Sequence, residues 1–257
     1  MKKQAIGKGS VMGVTPSDLP SQKGFTLVEL SIVLVIIGLI IGGILKGQEL
    51  IANAQIKNVV SQSQSYQAAF VSFRDKYNGL PGDLVNAQLL IPNCTLANTC
   101  SPGATGGDGN GNIGVDVTAA FNGNVSAGLE NLAFWQQLAA ARFIGGVVLA
   151  PTGALAYGNQ FPNAESGGGF QIVYEGVSGR HALRLAGATG VPAAATGALR
   201  ADQALQVDTV LDDGRPITGS IFTNATISSS TTCFAGTPAI YTAAQAARSC
   251  NLVINVP

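Results

Sequence analysis

Charge is scarce in this chain. Only 11% of its 257 residues are Asp, Glu, Lys or Arg, and the formal net charge is zero. A nucleic-acid-binding surface needs a basic excess, so no nucleic-acid partner is expected. Histidine is scarcer still: His181 is the only one. A serine triad would have to use it, yet it lies in "GRHALRL", which reads as a strand, and GxSxG occurs nowhere. There is also no CxxC, no P-loop and no Rossmann glycine motif after a strand, and no paired-carboxylate motif stands out. The chain is therefore not expected to be an enzyme. A single-pass membrane-anchored periplasmic enzyme or binding protein stands as the rival from another class. Proline is absent between Pro20 and Pro81, which leaves room for a long unbroken helix.

What charge there is falls unevenly. The first 24 residues carry Lys2, Lys3, Lys8 and Lys23 against Asp18, while the remainder holds ten basic and thirteen acidic residues. A basic piece ahead of an apolar run marks the cytoplasmic side, so everything after the run is expected to be translocated. The run itself, Phe25 to Leu45, has 21 residues, of which 15 are Leu, Ile, Val or Phe. At ~1.5 Å per residue it spans about 30 Å, one hydrocarbon core. A cleaved signal peptide fits poorly, because its apolar region should be about 7–15 residues and end at a small-residue site. Here the run continues as helix through "GGILKGQELI". A plain anchor fits better but leaves Glu29 unexplained: an acid in a spanning segment is costly and functional by default, unless it sits at headgroup level.

The string Gly24-Phe25-Thr26-Leu27-Val28-Glu29, with its basic leader and spanning run, resembles the prepilin signature of type IV pilins and type II secretion pseudopilins. The resemblance covers roughly Lys23 to Tyr77. It implies that a prepilin peptidase cuts between Gly24 and Phe25, that the new amine on Phe25 is methylated, and that the helix is kept. It also implies that Glu29 of one copy meets the Phe25 amine of another inside a filament. A buried amine needs such a partner, and the pair would set the register between subunits. The implied role is a structural subunit of an extracellular type IV pilus; a minor pilin, or a pseudopilin of a secretion or competence system, is the alternative. The implied partners are copies of itself, prepilin peptidase and the inner-membrane assembly machinery. The precursor would lie in the inner membrane and the product in a cell-surface or periplasm-spanning filament. The 24-residue leader is long, as in the type IVb subgroup, whereas Phe25 is more like type IVa; a start at Met12 would leave 13 residues.

The organisation expected is α+β. It comprises a leader (1–24), the transmembrane or assembly half of a helix (25–45), its amphipathic half (46–78) and a globular head (79–257). Leu50, Ile51, Ala54, Val59, Tyr66, Ala69, Phe70, Phe73 and Tyr77 recur at helical spacing, which predicts one helix of about 80 Å with a stripe against the head. "NGLPGD" should stop it. Many pilins carry a proline near Lys46. This chain has Gly38, Gly42, Gly43 and Gly47 instead, read either as sites of close helix approach or as local weakness, with weakness favoured. "ENLAFWQQLAAARFIGG" reads as an amphipathic helix with Leu132, Trp135, Leu138 and Ala139 inward and Gly145-Gly146 at its end. Strands are expected at 170–177, 181–187, 219–227 and 251–256, and a short helix in "RADQALQVDTVLDDG". The result is a small antiparallel sheet with long loops. The spacing of "LPGD", "GNGNI", "FWQQLAAARFIGG" and "DDGRPITG" resembles a proteobacterial pilin subgroup.

All four cysteines, Cys94, Cys100, Cys233 and Cys250, lie on the translocated side, which suggests disulfides in an oxidising compartment. Three pairings are possible; the local one, Cys94–Cys100 with Cys233–Cys250, is favoured. No cofactor is expected, with calcium as the one candidate. "GDGNGN" offers Asp108, Asn110 and Asn112 at alternating positions, like the start of an EF-hand, but Ile113 stands where glycine should and the closing glutamate is missing. Asp208, Asp212 and Asp213 form a second acidic group. For both, a plain turn is the competing reading.

Overall fold

The structure is a computed structural model that describes residues 24–95, 100, 107–113, 130–149, 156–175, 179–187, 197–223, 233–242 and 247–257. Leader residues 1–23, including Met12, and strand residues expected at 176–177 and 224–227 lie outside the described residues. The chain divides into two compact units, Met1–Gln48 and Glu49–Pro257.

Helix α1 runs from Leu27 to Tyr77. In the first unit its most apolar stretch is wholly unburied, and the helix continues through all four glycines. In the second unit its buried positions are Ile56, Val59, Ser63, Tyr66, Ala69, Phe70 and Phe73. Steps of three and four keep these on one face. Leu50 and Ile51, expected in that stripe, are about three-fifths exposed, and Ala54 is exposed too. The stripe begins at Ile56, and Ser63 sits within it because its hydroxyl donates to the Val60 carbonyl at 2.7 Å. Asn78 ends the helix with φ 52°, a left-handed turn that asparagine tolerates, its N–H bonded to the Arg74 carbonyl at 2.8 Å.

The sheet has the order β1-β2-β6-β3 and is antiparallel throughout. Its strands are β1 (Gly169–Glu175), β2 (Arg180–Ala186), β3 (Ile221–Phe222) and β6 (Leu252–Asn255). A second, two-stranded ribbon joins β4 (Phe234–Ala235) to β5 (Ile240–Tyr241). Helix α2 (Ala87–Leu90) is a single turn, α3 covers Glu130–Ala140 and α4 covers Ala201–Leu211. A long N-terminal helix and a small antiparallel sheet make this an α+β fold. Tyr66 on α1 stands edge-on to Trp135 of α3 and to Phe170 of β1, both at 5.2 Å, so the head half of α1, α3 and the sheet share one core.

Two departures from the sequence expectation have plain causes. Helix α3 is not amphipathic: every residue but Ala139 is buried. Gln137 is bonded at both ends of its amide and Gln136 through its nitrogen, whereas Gln136 Oε1, Asn131 Oδ1 and Trp135 Nε1 find no partner among the described residues. Gln137 accepts the Gly82 N–H at 2.6 Å and donates to the Cys100 carbonyl at 3.0 Å, and Gln136 donates to the Val148 carbonyl at 3.1 Å. The helix also ends before Gly145-Gly146. Arg142 takes φ 64°, the Phe143 N–H reaches back to the Leu138 carbonyl, and the Arg142 N–H reaches the Ala139 carbonyl. That is a Schellman end, built with an arginine where glycine is usual.

Disulfides join Cys94 to Cys100 and Cys233 to Cys250. The second brackets the β4–β5 ribbon and leads into β6. From loop length, replacing Cys233 and Cys250 together by serine should cost about 3 kcal/mol and replacing the shorter pair about 2 kcal/mol. Urea denaturation of the head fragment 49–257 measures both; no loss from the longer loop would contradict the entropic account.

Candidate functional site

Three groups of polar residues merit comparison: the start of α1, the "GDGNGN" loop and the "DDGRPITG" loop. At the start of α1, Thr26 is the N-cap and its carbonyl accepts the Leu30 N–H at 3.3 Å. The Thr26 hydroxyl accepts the Glu29 N–H at 3.2 Å and donates to Glu29 Oε2 at 2.8 Å. The Thr26 N–H donates to the same Oε2 at 2.8 Å. This is a reciprocal capping box, in which Glu29 closes the helix it belongs to. Threonine three residues before glutamate is the sequence signal of this cap, and it is masked by the oddity of an acid in an apolar run. Residues 24–30 are exposed, so Gly24, Phe25 and the Glu29 carboxylate are all accessible. Ser31, the next polar group, donates to the Val28 carbonyl at 2.8 Å.

In the head, "GDGNGN" wraps around a carboxylate from elsewhere. Asp83 Oδ1 accepts the Gly109 and Asn110 N–H groups at 2.7 and 3.2 Å, and Oδ2 accepts Gly111 at 2.8 Å. Gly107, Gly109 and Gly111 all have positive φ, between 66° and 85°, which turns successive N–H groups to one side and forms an anion nest. Two of the side chains expected to offer ligands, Asp108 and Asn110, are bonded to each other. Asn110 donates from Nδ2 to Asp108 Oδ2 at 2.9 Å, and its Oδ1 accepts the Asn112 N–H at 2.6 Å. The carboxylates that do converge are Asp83, Asp108 and Glu130, within 4.8 Å of one another. Nothing in the local sequence around Asp108 points to Asp83 or Glu130. At its far end the loop is held by His181, whose Nε2 accepts the Ile113 N–H at 3.1 Å. The imidazole therefore serves as a neutral acceptor.

Asp208, Asp212 and Asp213 also converge within 4.8 Å. Asp208 accepts the Gly214 N–H at 3.2 Å and the Tyr241 hydroxyl at 2.8 Å. Asp212 accepts the N–H groups of Ser220 and Ile221. Asp213 accepts the Arg215 N–H and the Thr218 hydroxyl. Asp208 and Asp212 do not share a helix face, because α4 ends at Leu211. All three carboxylates fold the chain after α4 back towards β3.

Among the described residues no nucleophile–base pair links these groups, and the N-terminal helix is apolar, capped and accessible. Residues 19–45 match the family model for the prokaryotic N-terminal methylation motif, the type IV pilin and pseudopilin signature. No curated protein and no solved structure gives a match. The motif and the apolar helix fit a membrane-anchored precursor processed by prepilin peptidase.

Two measurements check the loop anchors. Asp83→Ala leaves three N–H groups without their acceptor and should cost about 2–4 kcal/mol in urea denaturation; a loss under about 0.5 kcal/mol, the level of an ordinary surface change, would contradict the nest. His181 is pushed down to about 4, by burial first and then by the nearby Arg74 guanidinium. The unfolded chain takes up its proton first as pH falls from the ordinary 6.5, so this contribution to stability is complete above 6.5 and is lost as pH falls through about 4. Asp208, raised to about 6 chiefly by burial, acts in the opposite direction: its contribution is complete below 3.8 and is lost as pH rises through about 6. Comparing His181→Gln with the wild type cancels the Asp208 effect. The variant should lose less melting temperature between pH 7 and pH 4, and equal losses would show that the imidazole is not the responsible group.

Proposed function

We propose that this chain is a structural, filament-forming subunit of a type IV pilus. The observation that supports it best is the methylation motif set directly against a capped, wholly exposed apolar helix. In that reading Gly24–Phe25 is the cleaved bond and residues 1–24 are removed. The apolar half of α1 is first a membrane anchor and then a filament core. The head, held by two disulfides and by carboxylate-anchored loops, suits an extracytoplasmic setting.

Cleavage creates an ammonium on Phe25, and Glu29 of a neighbouring copy is its partner in the assembled filament. In a low-dielectric core each charge makes the other tolerable, and only one axial stagger brings them together. Glu29→Ala should therefore be cleaved normally yet give at least about tenfold less filament in the sheared surface fraction, since an uncompensated buried ammonium costs several kcal/mol. Filament yield equal to the wild type would overturn the charge-pair account.

A further inference from the structure

We infer that Thr26 is a positioning residue for subunit pairing: its hydroxyl and N–H hold the Glu29 carboxylate by Oε2, leaving Oε1 for the Phe25 ammonium of a second copy. The inference rests on the reading of the chain as a filament subunit. Both Thr26 bonds fall on the one oxygen, Oε2. Among the described residues no hydrogen bond falls on Oε1. A glutamate near a helix start would otherwise sample several rotamers, and ordering it at the moment of pairing would cost conformational entropy. The box removes that cost beforehand. It also lets one carboxylate act twice, capping its own helix in the bilayer and taking the ammonium later, without the first bond being broken.

The position of the cleaved bond supports this. Gly24–Phe25 lies one residue outside the box. Cleavage turns the Phe25 amide nitrogen into an ammonium, but Thr26 N, Thr26 Oγ1 and Glu29 all stay on the retained side, and the Thr26 N–H remains a peptide N–H. The box therefore outlasts processing. Phe25 is 81% exposed, so the residue that carries the new charge is open to a second copy. The hydroxyl is required twice over: it donates to Oε2 and accepts the Glu29 N–H. Serine can do both, and valine, with the shape of threonine, can do neither.

The test uses the full-length chain in cells, with Thr26→Val, Thr26→Ser and Glu29→Ala beside the wild type. Two quantities are read: the fraction cleaved before Phe25, and filament mass per cleaved chain. Thr26→Val should be cleaved like the wild type and assemble about fivefold less or worse, the scale expected for a lost N-cap. Thr26→Ser should restore assembly to within about twofold, which a purely steric role for the threonine would not allow. Wild-type assembly by Thr26→Val, or a Thr26→Ser variant as deficient as Thr26→Val, overturns the inference. In either case poor assembly by Glu29→Ala leaves the charge pair standing, normal assembly by Glu29→Ala removes the charge pair and this inference together, and a wild type that forms no filament removes the filament-subunit reading itself.

Discussion

A carboxylate at the edge of an apolar helix has to be satisfied wherever the helix goes. Glu29 is that group, and the organisation of the first unit follows from it. An isolated ionised acid in hydrocarbon or in a filament core would be strongly unfavourable. The helix start supplies the first solution: the carboxylate accepts the N–H and the hydroxyl of Thr26, and that hydroxyl in turn accepts the Glu29 N–H, which has no intrahelical partner. The methylation motif at residues 19–45 offers the second under the proposed function, since cleavage between Gly24 and Phe25 would make a cation of the right sign one residue from the cap. In the proposed function the precursor and the product use the same acid, in two environments, with the helix retained in both.

The head obeys a related economy. In a chain with few charges, its acids are spent on backbone N–H groups. Asp83 gathers three from a glycine-rich loop, Asp212 gathers two from the start of β3, and Asp208 and Asp213 close the turn between them. Long irregular loops carry many backbone groups that no sheet or helix satisfies, and these carboxylates satisfy several at once. The two disulfides act on the same problem from the unfolded side, by limiting the freedom of the loops they close.

Much of the fold was legible because its signals are local. The apolar run, the three-and-four spacing from Val59 to Phe73, the strand-forming runs of β1 and β2 and the Asn-Gly-Leu-Pro stop each lie within one element. What escaped was long-range or compensated. Asp83 and its nest are 26 to 28 residues apart, so nothing near "GDGNGN" announces the acid it encloses. Helix α3 carries Gln136 and Gln137 at buried positions, which a periodicity argument assigns to solvent; only their partners, Val148, Gly82 and Cys100, explain them. Arg142 ends α3 in a conformation that propensity gives to glycine. At the start of α1 the reverse happened: Thr26 and Glu29 stand three apart in plain view, and the capping spacing was obscured by the oddity of an acid in an apolar run.

The central claim is that α1, two residues behind the new N-terminus at Phe25, survives processing and becomes the body of a filament. Mass spectrometry of intact protein from sheared surface filaments tests it most directly. The account predicts an abundant polypeptide that begins with an N-methylated Phe25 and retains all of α1. A chain that keeps its leader from Met1 or Met12, or one that begins after Leu45, would contradict it.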